Sequence, residues 1–200
     1  MGEVREPIKK SSIEKKQRIV QKGFELMCRE GFHNVNCADI AKYASVSTGI
    51  IYQYFSNKRD IFLEGVRDYS NSIVFPMSDI IDDISFDKNK LDEGINKILD
   101  IFTSRHTMDK REHEELMAIS HLDDDIAKIF YDNEIVITEK IAKLISNYGF
   151  NEYHLKERVH IIISIVDNYC HEVVYHKHRE IDQKVLKEEV VNTILFLLKW

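Results

Sequence analysis

Residues that break helices are scarce in this chain: seven glycines and two prolines in 200 positions. Apolar residues recur at spacings of three and four, so the shortage of breakers predicts an almost wholly helical protein. Cysteine is scarce as well. Cys28, Cys37 and Cys170 are too few and too scattered for a disulfide framework or a cysteine-based metal knuckle, and they read as small buried hydrophobes in a reducing compartment. No apolar run approaches the roughly 18 residues of a membrane span, and the N-terminus lacks the apolar core of a signal peptide. The expectation is a cytoplasmic protein without a membrane partner. An excess of basic residues is also missing, since the net charge is -6.

That last absence disappears when the chain is split. Residues 1–65 hold 11 Lys/Arg against 8 Asp/Glu, whereas the remainder holds 17 against 26. Attraction to phosphate is local and screened beyond about 10 Å, so a basic head on an acidic body is compatible with nucleic-acid binding.

Within the head, Ser11 and Glu14 have capping-box spacing and mark a helix start. Ile13, Ile19 or Val20, Phe24 and Met27 carry an apolar stripe up to Gly31, a helix stop. Lys9, Lys10, Lys15, Lys16 and Arg18 gather at its front, as either a solvated face or a phosphate contact. Asn36 reads as the N-cap of a second helix, supported by Asp39, with Cys37, Ile40, Ala41 and Ala44 inward. Ser45-Val46-Ser47 breaks the pattern. Ser47 can then cap a short third helix, Thr48 to Phe55. Two short helices joined by a few residues, with small Ala41 at the crossing and Val46 in the turn, form the helix-turn-helix pattern.

The third helix carries the functional signal. Ile51 and Phe55, four apart, can anchor it, which leaves Thr48, Gly49, Tyr52 and Gln53 facing outward. Gly49 lowers helix propensity, and close backbone approach to a partner surface is one reason for it. Tyrosine hydroxyls and a helix N-terminus suit phosphates, and Gln can pair with adenine in the major groove. The alternative is a tyrosine-rich core helix.

Residues 36–61, NCADIAKYASVSTGIIYQYFSNKRDI, resemble the DNA-binding signature of the TetR/AcrR family of transcriptional regulators. The D-I-A, V-S, G-x-x-Y-x-Y-F and N-K stretches all fall at that family's spacing. The resemblance implies an all-α fold of about nine helices, with a DNA-binding domain at residues 1–57 and an effector-binding and dimerisation domain at 58–200. It also implies that residues 48–55 are the recognition helix. Ser47, Thr48, Tyr52, Tyr54 and Lys58 would then touch phosphates, and Thr48, Gly49, Ile50 and Gln53 would meet base edges. Ser45 stands where the family usually has Gly, Ile50 where a small polar residue is common, and Gln53 where His is common. These departures bear on the operator sequence, and Ile50 could meet a thymine methyl.

The body reads as a connector helix over 58–75, broken or kinked at Pro76. Helices follow at roughly 88–105, 110–120, 124–148, 152–178 and 182–199. Asp123-Asp124-Asp125 reads as a helix start, stabilised by capping and dipole, in preference to a metal site. The last two helices are apolar on more than one face and need a second partner. The resemblance implies an intersubunit bundle, with Val159, Ile162, Ile163, Val166, Val173, Val190, Ile194, Leu197 and Leu198 at the interface of a homodimer. Two recognition helices about 34 Å apart would fit a near-palindromic operator on double-stranded DNA.

Nine histidines raise the question of a metal. A di-iron bundle needs two E-x-x-H pairs on different body helices. Glu157 to His160 is one, but the other, Glu30 to His33, lies in the head, so no metal and no cofactor are expected. A small-molecule effector pocket is expected from Phe102, Met117, His121, Phe130, Tyr131, Val166, Asn168, Tyr169 and His171. The sequence contains no Gly-rich phosphate loop, no G-x-S-x-G and no H-E-x-x-H, so no catalytic residues and no enzyme activity are expected. The reading that follows is a repressor released from DNA by its effector.

Overall fold

The computed structural model describes residues 7–83 and 90–199. Among them are nine α-helices and one 3-10 turn: α1 (Lys10–Glu30), the turn Phe32–Asn34, α2 (Cys37–Tyr43), α3 (Thr48–Tyr54) and α4 (Lys58–Asp83), then α5 (Leu91–Arg105), α6 (Lys110–Ser120), α7 (Asp124–Asn147), α8 (Leu155–Val174) and α9 (Gln183–Lys199). No helix among the described residues is long and apolar enough to cross a membrane. The all-α architecture is as expected. The start of the predicted 88–105 helix lies outside the described residues.

The chain forms two compact units. The first comprises residues 1–70 and 108–129, the second 71–107 and 130–200. The division falls inside α4, and α6 packs on α1 in the first unit, a partner that nothing in the sequence pattern gave it. The helix expected to be broken or kinked at Pro76 does not end there and continues to Asp83 as one element.

One helix start differs from its sequence reading, and another, placed as expected, carries caps that the sequence reading did not name. α1 begins at Lys10 after an extended Lys9, so Ser11 lies inside the helix and the Ser11–Glu14 capping box does not form. The head of α4, by contrast, is capped on both sides. Asn57 Oδ1 accepts from the amides of Arg59 (2.8 Å) and Asp60 (3.2 Å), while Asp60 Oδ2 accepts from the amides of Ser56 (2.9 Å) and Asn57 (3.3 Å). Gly31 ends α1 at φ 96°, as its position suggested.

In the first unit, Ile19, Val20 and Met27 of α1, Ile40 of α2, Ile51 of α3, and Ile61, Phe62 and Val66 of α4 are fully buried together. Phe62 stands at the centre of an aromatic group, 5.4 Å from Phe24 and 5.0 Å from Phe32. Ile13, expected in the stripe, is 39% exposed. The second unit closes around Leu99, Phe102, Val159, Val166, Cys170, Val190, Ile194 and Leu198. Both Cys28 and Cys170 are buried free thiols, and burial raises the pKa of each, that of Cys170 to about 12.

Candidate DNA-binding interface

α2 is fixed at its start by the predicted cap. Asn36 Oδ1 accepts from Ala38 N at 2.8 Å and Asp39 N at 3.1 Å, and Asp39 Oδ2 accepts from Asn36 N at 3.0 Å, completing a capping box. Ala41 is buried where α2 meets its neighbours, and its carbonyl accepts from Val46 N at 2.9 Å, which closes the turn. Ser45 takes φ 55°, the left-handed conformation that glycine adopts most cheaply. The serine therefore keeps the turn and carries its strain.

α3 is anchored by one side. Ile51 is fully buried, Tyr54 is 6% exposed, and the capping residue Phe55 is 2% exposed. Ser47, Thr48, Gly49, Tyr52 and Gln53 are exposed, and Ile50 is half-buried. A Cβ built on Gly49 would meet nothing nearer than Ser47 Oγ at 3.9 Å, so packing within the chain does not require a glycine there. The Ser47 hydroxyl makes no capping bond. The neighbouring Cys37 thiol, at the start of α2, raises the pKa of the exposed Tyr52 hydroxyl.

Two of the expected DNA contacts are placed differently. Tyr54 belongs to the core of the head and lies outside the exposed face. The Lys58 ammonium donates to the carbonyls of Phe32 (2.6 Å) and Val35 (2.7 Å) and sits 4.7 Å from the Phe32 ring centroid. It thereby satisfies carbonyls around the 3-10 turn, an interior role that its position after the N-K motif did not suggest. Of the front of α1, Lys16 pairs with Glu64 at 3.0 Å.

Residues 19–64 match the family described as bacterial regulatory proteins, tetR family. Over this stretch the chain is similar in sequence to the TetR family. The fatty acid metabolism regulator protein of Bacillus subtilis (strain 168) is 29% identical over 94 residues, which is 47% of this chain and 48% of that protein. The match thus spans about half the length of that curated relative. A chain described as a TetR-family transcriptional regulator from Mesorhizobium loti superposes with a TM-score of 0.76 at 13% identity, covering 95% of this chain and 98% of that one. A transcriptional regulator from Saccharomonospora viridis in complex with choline superposes with a TM-score of 0.66 at 20% identity, covering 91% and 96%. These likenesses extend the TetR fold over the body as well as the head.

The remaining candidates are scattered. Phe102, Val166 and Tyr169 are core residues of the second unit; His171 is half-buried there, Phe130 is half-buried, and Tyr131 is 62% exposed. Asn168 and Tyr169 line a surface groove between α8 and α9, together with Ile161, Ile165, Leu186 and Val190. Met117, half-buried, and His121, exposed, belong to the first unit. Of the residues expected at a dimer interface, Val159, Val166, Val190, Ile194 and Leu198 are already buried inside the single chain, and Ile162, Ile163, Val173 and Leu197 are half-buried. The apolar residues left exposed on α8 and α9 are Ile161, Val185 and Phe196.

Proposed function

We propose that the chain is a DNA-binding transcriptional regulator that acts as a homodimer on a near-palindromic site, represses from it, and leaves it when a small molecule binds the body. The observation that carries the DNA-binding part is the exposed face of α3. Thr48, Gly49, Tyr52 and Gln53 share it, the opposite side is buried, and Gly49 leaves room for a backbone to approach closely. Hydroxyls and a carboxamide at such a face serve phosphates and base edges, and a basic head supplies the salt-dependent attraction. Ser47, exposed at the start of α3, adds a further hydroxyl beside it.

The regulatory part follows the relatives. The S. viridis regulator holds choline, and its fold extends over nearly all of this chain. A ligand shifts the DNA-binding equilibrium only through unequal affinity for the two states of the dimer. The apolar residues still exposed on α8 and α9 supply the surface for a second copy.

The test is fluorescence anisotropy of the full chain with duplex DNA from the region upstream of its own gene, at several salt concentrations. Specific binding that weakens steeply with salt, and that Gln53→Ala and Tyr52→Phe reduce, supports the reading. Binding that is absent, or indifferent to both substitutions, refutes it.

A further inference from the structure

We propose that the second unit contains a binding site for one divalent transition-metal ion of the zinc class, with His106, Asp167 and His171 as its ligands. The three residues come from two helices: His106 caps the end of α5, and Asp167 and His171 lie one turn apart on α8. Their ligand atoms all lie within 4.8 Å of one another. His171 Nδ1 is 3.8 Å from Asp167 Oδ2, a separation that exceeds a hydrogen bond and is near the roughly 3.4 Å between neighbouring ligands of a tetrahedral zinc site. Small rotations of two half-exposed side chains would close the set.

His106 is the residue that turns an ordinary Asp–His pair into a site. It is 6% exposed, and its Nδ1 lies 2.9 Å from the carbonyl oxygen of Phe102. A carbonyl only accepts, so Nδ1 carries the proton and the lone pair of the neutral ring is left on Nε2. An Nδ1–H held by a backbone carbonyl is the arrangement that fixes the tautomer and ring orientation of metal-ligating histidines. The rings of His106 and His171 stand edge to face at 5.6 Å, and the buried Tyr175 packs against both, at 6.1 Å and 5.8 Å. The site is thus walled on one side and open on the other, where Asp167 is half-exposed.

Two imidazoles and one carboxylate suit zinc, cobalt, nickel or ferrous iron, whereas calcium and magnesium require oxygen ligands throughout. Three protein ligands leave a fourth position for water or another small donor. The C-terminal end of α5, with its exposed carbonyl dipoles, favours a cation at this place. Binding would join the end of α5 to α8 within one unit. It does not depend on the chain's binding DNA.

Titration of chelator-stripped full-length protein with Zn2+ by calorimetry, and with Co2+ by visible absorption, tests the site without DNA present. The expected result is one ion per chain and cobalt ligand-field bands. His171→Ala and Asp167→Asn should each weaken zinc binding by at least the roughly 10–100-fold that loss of an outer-shell partner costs. Both residues are partly exposed, so circular dichroism should show these variants folded. His178→Ala is the control, because that ring is held by Glu172 at 2.7 Å, away from the three ligands, and it should bind zinc like the parent. Absence of stoichiometric binding overturns the site. So does binding that survives His171→Ala and Asp167→Asn, or that His178→Ala abolishes.

Discussion

Gly65 of α4 backs onto Phe24 of α1 so closely that a Cβ on the glycine would stand 2.5 Å from the Phe24 Cβ. The contact is reciprocated at Gly23 of α1, where a Cβ would stand 2.7 Å from Ile61 Cγ2 on α4. Two helices meet here nearly backbone to backbone, and Phe24 is held in place by Phe62 and Tyr69, at 5.4 Å and 5.9 Å. Gly65→Ala gains helix propensity of about 1 kcal/mol but must push α1 and α4 apart. Overpacking of about 1–3 kcal/mol outweighs the gain, so denaturant unfolding should show a net loss of stability. A rise in stability would mean that the crossing is looser than it stands.

Gly49→Ala should do the opposite to stability. The added methyl meets nothing of the chain within 3.9 Å, so the helix gains roughly 0.5–1 kcal/mol. DNA affinity should fall at least tenfold, because the methyl enters the space left for the partner surface. The pair separates packing from the proposed recognition: one glycine is required by the fold, and the other is tested for a requirement by the ligand. If Gly49→Ala binds DNA like the parent, close approach is not the reason for that glycine.

Lys58 holds the carbonyls of Phe32 and Val35, with its ammonium over the Phe32 ring. Lys58→Met keeps most of the stem but leaves those carbonyls without their charged donor. The expected cost is about 1–3 kcal/mol, measured by thermal unfolding in the absence of DNA. A side chain that served phosphate contact alone would leave the free protein's melting point where it was.

Much of the head could be read from the sequence because its signals are local. Asn36 and Asp39 form the expected capping box, Gly31 takes the positive φ of a helix stop, and Ser45 adopts the conformation demanded of a residue in glycine's place. The Ser11–Glu14 box failed because spacing alone does not decide which residue begins the helix; Lys9 took the extended position two residues earlier. Non-local partners left no such trace. Nothing near Lys58 in sequence reveals carbonyls more than twenty residues upstream, and nothing near Asp167 reveals His106. The apolar spacing of α8 and α9 identified two-sided helices. It did not say which side the single chain buries, and so the expected interface included residues that the core already uses.

Arg59, in the first turn of α4, donates through Nε to Asp123 Oδ2 at 2.8 Å and through Nη2 to Asp123 Oδ1 at 2.7 Å. Asp123 also caps α7, accepting from the amides of Asp125 and Ile126, so one carboxylate fixes two helix starts. The guanidinium holds the Asp123 pKa below the ordinary value. A carboxylate with a depressed folded pKa contributes stability above its unfolded pKa of about 3.9, and that contribution disappears as pH falls through the folded value. A double-mutant cycle of Arg59→Ala and Asp123→Asn should give a coupling of about 1 kcal/mol or less near neutral pH, since the guanidinium is 38% exposed. The coupling should vanish as pH falls through the depressed pKa of Asp123. A coupling that persists there would show that packing, and not charge, joins the two residues.

If two copies pair through α8 and α9 as proposed, they must use what the single chain leaves exposed. Ile161 and Val185 are 47% and 50% exposed, whereas Val159 is fully buried in the core of its own unit. Ile161→Glu with Val185→Glu should therefore leave each chain folded and place charges where a second copy would pack. Sedimentation velocity should then show a shift to monomer at concentrations where the parent is dimeric. Two charges in a desolvated interface should raise the dimer dissociation constant by at least a hundredfold. DNA affinity should fall with it, because one head binds one half-site where two heads bind both. Val159→Glu makes the contrast, since it should unfold the second unit outright. If the double variant sediments like the parent, the copies meet through some other surface, and α8 and α9 are not the helices that join them.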